Sequence, residues 1–158
     1  MDRIDPTLAL RREYQAFCEV IRSLPEDLYL TKIDDWTPRD VLAHLVGWNR
    51  RMIGACQDIL AGRTPDYYLD APNDYRTING GYVARYASTS RPALLHDLAS
   101  GLEELAAYVS ALEPAEWEAS HGVKHYRGAP ATVAGTLASL AGDYAHHAQQ
   151  IREWQGAG

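Results

Sequence analysis

Apolar residues recur along this chain at intervals of three and four, the period of an amphipathic helix, in four long stretches. The first opens at Asp5-Pro6, carries Leu8, Tyr14, Phe17, Ile21 and Leu24 inward, and stops at Leu24-Pro25. The second has the strongest start signals. Thr37 can cap it, Pro38 takes a first helical position where a missing N–H costs nothing, and Asp40 stands where a capping-box acid reaches back. It runs to Gly62, about six turns at 3.6 residues each. The third is capped within Ser88-Thr89-Ser90, presents Leu94, Leu95, Leu98, Leu102, Leu105, Val109 and Leu112, and closes at Leu112-Glu113-Pro114. The fourth is capped by Thr132, turns Val133, Leu137, Leu140, Tyr144, Ile151 and Trp154 inward, and ends at Gly156.

The connections are less regular. Residues 26–35 form a short connector, and residues 63–74, rich in Pro, Asp and Tyr, read as a loop. Ile78, Tyr82, Val83 and Tyr86 then recur at helical spacing despite Gly80-Gly81, a pair that weakens a helix by about 1 kcal/mol per glycine relative to alanine. A kink there, or a close approach to that backbone, is expected. Residues 117–131 form a second irregular stretch, and neither strand alternation nor an internal repeat occurs. The pattern predicts an all-α four-helix bundle with a long middle connection containing a short helix, one domain over residues 1–158.

Composition narrows the function classes. Two cysteines, Cys18 and Cys56, lack the close spacing of a zinc or redox motif and read as small core residues of a reduced protein. With no basic-apolar leader and no apolar run near the roughly 20 residues of a membrane helix, a cytoplasmic protein with no membrane partner is expected. Fifteen basic against 21 acidic residues give a net charge of −6 without a Lys/Arg cluster, so nucleic acid is not expected as a partner. Ten tyrosines and four tryptophans against one phenylalanine suit a wet pocket or an interface as well as a core.

Candidate chemistry sits on the second and fourth helices. At 100° per residue, His44 lies within about 40° of Trp48 and about 60° of Val41, on the edge of the apolar stripe and facing inward. Asp143 and His147 share one edge of the last helix, four residues apart, whereas His146 falls well outside its inner face. One carboxylate and two imidazoles on facing helices of a bundle match a two-histidine, one-carboxylate metal site with open positions. The same spacing also fits a surface ion pair between Asp143 and His147, and His44 also fits a satisfied core histidine. Cys56 stands about 18 Å along the helix from His44 and cannot share an ion with it. His121 and His125 lie in a glycine-broken segment and read as solvated loop residues. No Gly-x-Ser-x-Gly elbow, phosphate loop or His-Glu-x-x-His motif occurs.

Four segments together carry a family likeness: Asp34-Asp35-Trp36-Thr37-Pro38-Arg39-Asp40-Val41-Leu42-Ala43-His44-Leu45-Val46-Gly47-Trp48; residues 79–86 before Arg91-Pro92; Leu112-Glu113-Pro114-Ala115-Glu116-Trp117; and residues 143–154 with His146-His147. They resemble the ClbS/DfsB family of the DinB/YfiT-like superfamily, over nearly the whole chain, and the Trp36–His44–Trp48 stretch is the most specific part. The resemblance implies a DinB-like four-helix bundle, often dimeric, in which a histidine of the second helix and a His-x-x-x-His pair of the last hold a divalent metal such as zinc or nickel. Relatives of that kind include thiol S-transferases, metal-dependent hydrolases and proteins that protect the producer of a reactive compound. Position by position the resemblance implies His44 and His147 as ligands, while the first histidine of the pair is replaced by Asp143, a shorter donor that favours harder ions.

Three readings stand beside one another. In the first, His44, Asp143 and His147 bind zinc, nickel, manganese or iron in a hydrolase or thiol transferase, and Trp48, Tyr82, Tyr86 and Tyr144 wall the pocket of a small-molecule substrate. In the second, a metal-free protein sequesters a small reactive molecule in that pocket. In the third, the aromatic residues of 63–86 serve a homodimer surface.

Overall fold

A computed structural model describes residues 4–157; residues 1–3 and 158 of the expected domain lie outside the described residues. Seven α-helices follow in order: α1 Thr7–Ser23, α2 Glu26–Tyr29, α3 Pro38–Leu60, α4 Arg76–Arg85, α5 Arg91–Ser110, α6 Pro114–Trp117 and α7 Val133–Ala157. A 3-10 segment, Asp66–Asn73, precedes α4, and the described residues contain no strand beyond one isolated antiparallel bridge, Lys124 to Pro130.

The long helices start where their polar residues can take up free backbone N–H groups. Asp5 Oδ1 accepts from the Thr7 amide at 2.9 Å, Ser90 Oγ from Ala93 at 3.3 Å, and Thr132 Oγ1 from Gly135 at 2.9 Å. At α3 the capping box is complete: the Asp40 amide donates to Thr37 Oγ1, and the Thr37 amide donates back to Asp40 Oδ2, each at 3.1 Å. That box sets the rotation of α3 and hence the direction of His44.

Helix α1 lies along α7, α3 lies along α5, and α3 also meets α7, so the four long helices enclose one core. Phe17, Leu42, Leu45, Leu98, Leu102, Val133, Leu137 and Ile151 are fully enclosed. Leu8, expected inside, is exposed, and Leu10 is buried in its place: Leu10 is in helical phase with Phe17 and Ile21, whereas Leu8 falls on the opposite side of α1. One polar latch crosses the apolar interior. The Tyr144 hydroxyl donates to Asn49 Oδ1 at 2.8 Å and Asn49 Nδ2 donates to the Leu98 carbonyl at 3.1 Å, tying α7, α3 and α5.

The middle connection differs from its expected form. Residues 66–73 wind into a 3-10 helix, with Tyr68 as their buried anchor. Helix α4 runs through Gly80-Gly81 without a break, and open space surrounds both glycines. The close approach occurs on the other partner: a Cβ on Gly47 of α3 would fall within the Tyr82 ring, so the glycine lets α4 lie against α3. Polar tethers complete the docking. Trp48 Nε1 donates to Asn79 Oδ1 and Arg51 Nε to the Tyr82 hydroxyl, both at 2.6 Å, and Arg39 Nη2 donates to the carbonyls of Tyr86, Ala87 and Thr89.

Candidate metal centre

His44 is buried in the second turn of α3, its ring against Trp36 at 4.9 Å and edge-on to His147 at 5.0 Å. Its Nδ1–H donates to the Val41 carbonyl, which leaves the Nε2 lone pair facing α7. His147 mirrors this arrangement: Nδ1–H donates to Gln150 Oε1 at 3.1 Å. Asp143 stands between the two free nitrogens, Oδ2 3.4 Å from His44 Nε2 and Oδ1 3.2 Å from His147 Nε2. One donor atom from each residue lies within 4.8 Å of the others.

The electrostatics follow from that crowding. Burial would raise the Asp143 carboxyl, but the hydrogen bonds and charges of His147 and His44 outweigh it and hold the group well below the usual carboxylate range. Burial would lower His147, and the Asp143 carboxylate with Gln150 instead raises it. The carboxylate is therefore an ionised acceptor at neutral pH rather than an acid. The residues fit a divalent ion. Donors about 2.1 Å from one ion stand roughly 3 Å apart, close to the observed separations, and each imidazole has its second nitrogen fixed by a backbone or amide oxygen.

The triad forms the floor of an open cavity of about 870 Å³. Its wall includes Trp48, which makes edge-to-face contacts with Tyr67 at 5.3 Å and Tyr75 at 5.6 Å. The fold brings some of the expected wall residues to the cavity and not others. Trp48 lines it. Tyr82 and Tyr86 line a second hollow of about 440 Å³ between α3 and α4, together with Arg50, Arg51, Asp58, Asp66 and Arg85. Tyr144, expected on the pocket wall, is a fully enclosed core residue packed on Phe17 and held by Asn49. His125, read as a solvated loop residue, is half-buried on the cavity wall, 5.2 Å from the Tyr68 ring. Asn79, Tyr67, Tyr75 and Tyr126 also line the cavity: Tyr67, Tyr75 and Tyr126 stand outside the α-helices, where no helical period gives a facing direction, and Asn79 lies on α4, whose period does not say which of its faces meets the cavity.

Residues 9–151 match the family described as the DinB superfamily. The chain belongs to the DinB superfamily. Its fold is shared by several solved structures. DfsB, described as a sibling lethal factor precursor, is 17% identical with a TM-score of 0.76, the match covering 96% of this chain and 94% of DfsB. An uncharacterised protein from Escherichia coli UTI89 is 16% identical with a TM-score of 0.75, covering 96% and 91%. The colibactin self-resistance protein ClbS, in complex with double-stranded DNA, is 15% identical with a TM-score of 0.75, covering 95% and 93%. The ClbS/DfsB likeness read from the residues agrees with these matches, and no curated protein matches the chain.

The ClbS complex corrects one expectation. A net charge of −6 leads one to expect no nucleic acid, yet ClbS, a protein of the same fold, was crystallised with double-stranded DNA. Net charge sums every face of a molecule, whereas a phosphate backbone meets one face only. No helix among the described residues is long and apolar enough to cross a membrane.

Proposed function

We propose that His44, Asp143 and His147 hold one divalent cation at the floor of the cavity, and that the protein is a metal-dependent enzyme, a hydrolase or thiol transferase, acting on a small reactive molecule. One observation carries this reading: both Nδ1 atoms are committed to oxygen acceptors, so two Nε2 lone pairs converge on one carboxylate. Lone pairs facing a carboxylate repel it unless a proton or a cation lies among them. When bound, such an ion polarises a carbonyl or lowers the pKa of a coordinated water or thiol. The chain's own residues supply the rest. Trp36 stacks near His44 and limits water there, Asp143 stays ionised, and the walls of the cavity exclude solvent from a bound apolar body.

Elemental analysis of freshly purified protein tests the proposal. The expected result is near-stoichiometric zinc, nickel, manganese or iron, lost in His44→Ala and weakened in Asp143→Asn. Metal-free protein that also fails to take up any of the four ions on titration overturns it. A second reading, metal-free sequestration of a reactive molecule, draws on ClbS being described as a self-resistance protein. It predicts ligand stabilisation that survives chelator, growing as ligand concentration rises above Kd; loss of that stabilisation on chelation removes it.

A further inference from the structure

The cavity above the triad has a chemical bias that metal binding does not account for. Five of its lining residues, Trp36, Trp48, Tyr67, Tyr75 and Tyr126, are aromatic. Four of them meet edge to face, Trp48 with Tyr67 at 5.3 Å, Trp48 with Tyr75 at 5.6 Å and Tyr75 with Tyr126 at 6.2 Å, whereas Trp36 stands apart beside His44. Tyr67 and Tyr75 stay neutral: burial first, then neighbouring hydroxyls, pushes both far above the usual phenol range. His125 on the same wall is pushed down by burial and by Arg127, so it adds no positive charge at neutral pH.

The polar part of the lining is mixed at the floor, where His44, His146 and His147 surround Asp143, and carries more carboxylates than arginines toward the mouth. Asp34, Asp35 and Asp74 stand at the mouth as exposed carboxylates, and among the described residues none of them takes part in an ion pair. Arg76 also lines the cavity, Arg51 lies outside the lining over the Trp48 ring at 5.9 Å, and Arg127 lies outside it against the Tyr126 ring, 5.6 Å from its centroid, which among the described residues leaves the Tyr67 and Tyr75 rings without an arginine over them. Asp143 adds a fourth carboxylate at the floor, engaged by the two histidines. Neutral π-faces attract cations, and unpaired carboxylates at the entrance concentrate them.

We propose that the cavity selects an organic cation: a quaternary or protonated amine on an apolar body, held against the Trp48, Tyr67 and Tyr75 rings and drawn in by Asp34, Asp35 and Asp74. This names the substrate class and rests on the cavity being the ligand site of the proposed function. Organic anions are excluded by the same surface, since their charge meets the carboxylates and the negative ring faces.

Three probes of one shape test the charge alone: choline, its carbon isostere 3,3-dimethylbutan-1-ol, and 3,3-dimethylbutanoate. Binding to chelator-treated protein is read from the indole N–H signals of Trp36 and Trp48, with Trp117 and Trp154, outside the lining, as internal references. Choline is expected to bind roughly tenfold more tightly than the alcohol, as a desolvated cation–π contact implies, with the carboxylate weakest. Asp34→Asn/Asp35→Asn, at two exposed positions that do not support the core, should weaken choline by about three- to tenfold and leave the alcohol unchanged. Equal binding of choline and alcohol, tightest binding of the carboxylate, no binding of any probe, or an unchanged choline affinity in the double variant overturns the proposal. Metal content is measured separately, which keeps the two readings apart. A cation preference in a protein that takes up no metal defeats only the metal centre, and metal uptake without a cation preference defeats only this inference.

Discussion

Helix α3 buries 14 of its 23 residues, whereas α4, docked against it, buries none of its ten, so the two owe their positions to different forces. The bundle is held by enclosed apolar side chains and started by a complete capping box. The 3-10 segment and α4 are held by one glycine contact, a few arginine and indole hydrogen bonds, and half-buried tyrosines. The candidate metal donors come from the first kind of element, on α3 and α7. Much of the aromatic wall comes from the second. A site built this way keeps its floor fixed while part of its wall has low local stability and can open without unfolding the core.

Breaking the bundle should cost the most. Phe17 is fully enclosed and packs edge to face on Tyr144 at 5.5 Å, so Phe17→Ala is expected to lower global stability by about 3–5 kcal/mol, read from the denaturant midpoint. Tyr82→Ala, on the docked helix, should cost clearly less; an equal loss would mean that α4 is as integral as α1, and the contrast would fall.

The seam between the two regions offers a sharper test. Gly47→Ala places a methyl group within the Tyr82 ring, and such overpacking costs roughly 1–3 kcal/mol, more than the helix gains from alanine. In a Tyr82→Ala background the clash is gone and the same substitution should become stabilising by up to about 1 kcal/mol. A double-mutant cycle reads this change of sign, and additivity of the two substitutions would show that Tyr82 does not rest on Gly47.

Smaller still is the indole tether. Asn79→Ala removes the acceptor of Trp48 Nε1–H, at about 0.5–1.5 kcal/mol. Amide exchange should rise over residues 63–87 and stay unchanged in α1, α5 and α7. Faster exchange throughout the bundle would instead make Asn79 part of the global fold.

The same division decides what could be read in the sequence. The four long helices, their caps and the inward directions of His44, Asp143 and His147 follow from local signals, because a 3.6-residue period fixes each helix's faces without reference to its neighbours. Such a period says nothing about which faces meet. It could not pair Gly47 with Tyr82, Trp48 with Asn79, or place Tyr144 against Asn49 rather than the cavity. The 3-10 segment escaped because a three-residue repeat containing Pro72 has no amphipathic stripe, and its anchor is the single buried Tyr68. His125 escaped for a related reason: a glycine-broken loop gives no direction, and the ring is half-buried only because Tyr68 and Tyr126 stand beside it.

His125 gives the smallest expected effect, and its sign is fixed. Its folded pKa lies below the ordinary 6.5, from burial and then Arg127, while in the unfolded chain the ring titrates near 6.5. The rings packed around it are those of Tyr68 and Tyr126, and Arg127 is the charge that lowers it. As pH falls through 6.5 the unfolded state takes the proton first. Unfolding therefore becomes more favourable, and stability declines until the folded ring protonates as well. Thermal melts of chelator-treated protein between pH 7.5 and 5 should show a shallower decline in His125→Gln than in the unmodified protein. Parallel pH profiles would place the ring in solvent, and with it would go the argument that this loop closes the cavity wall.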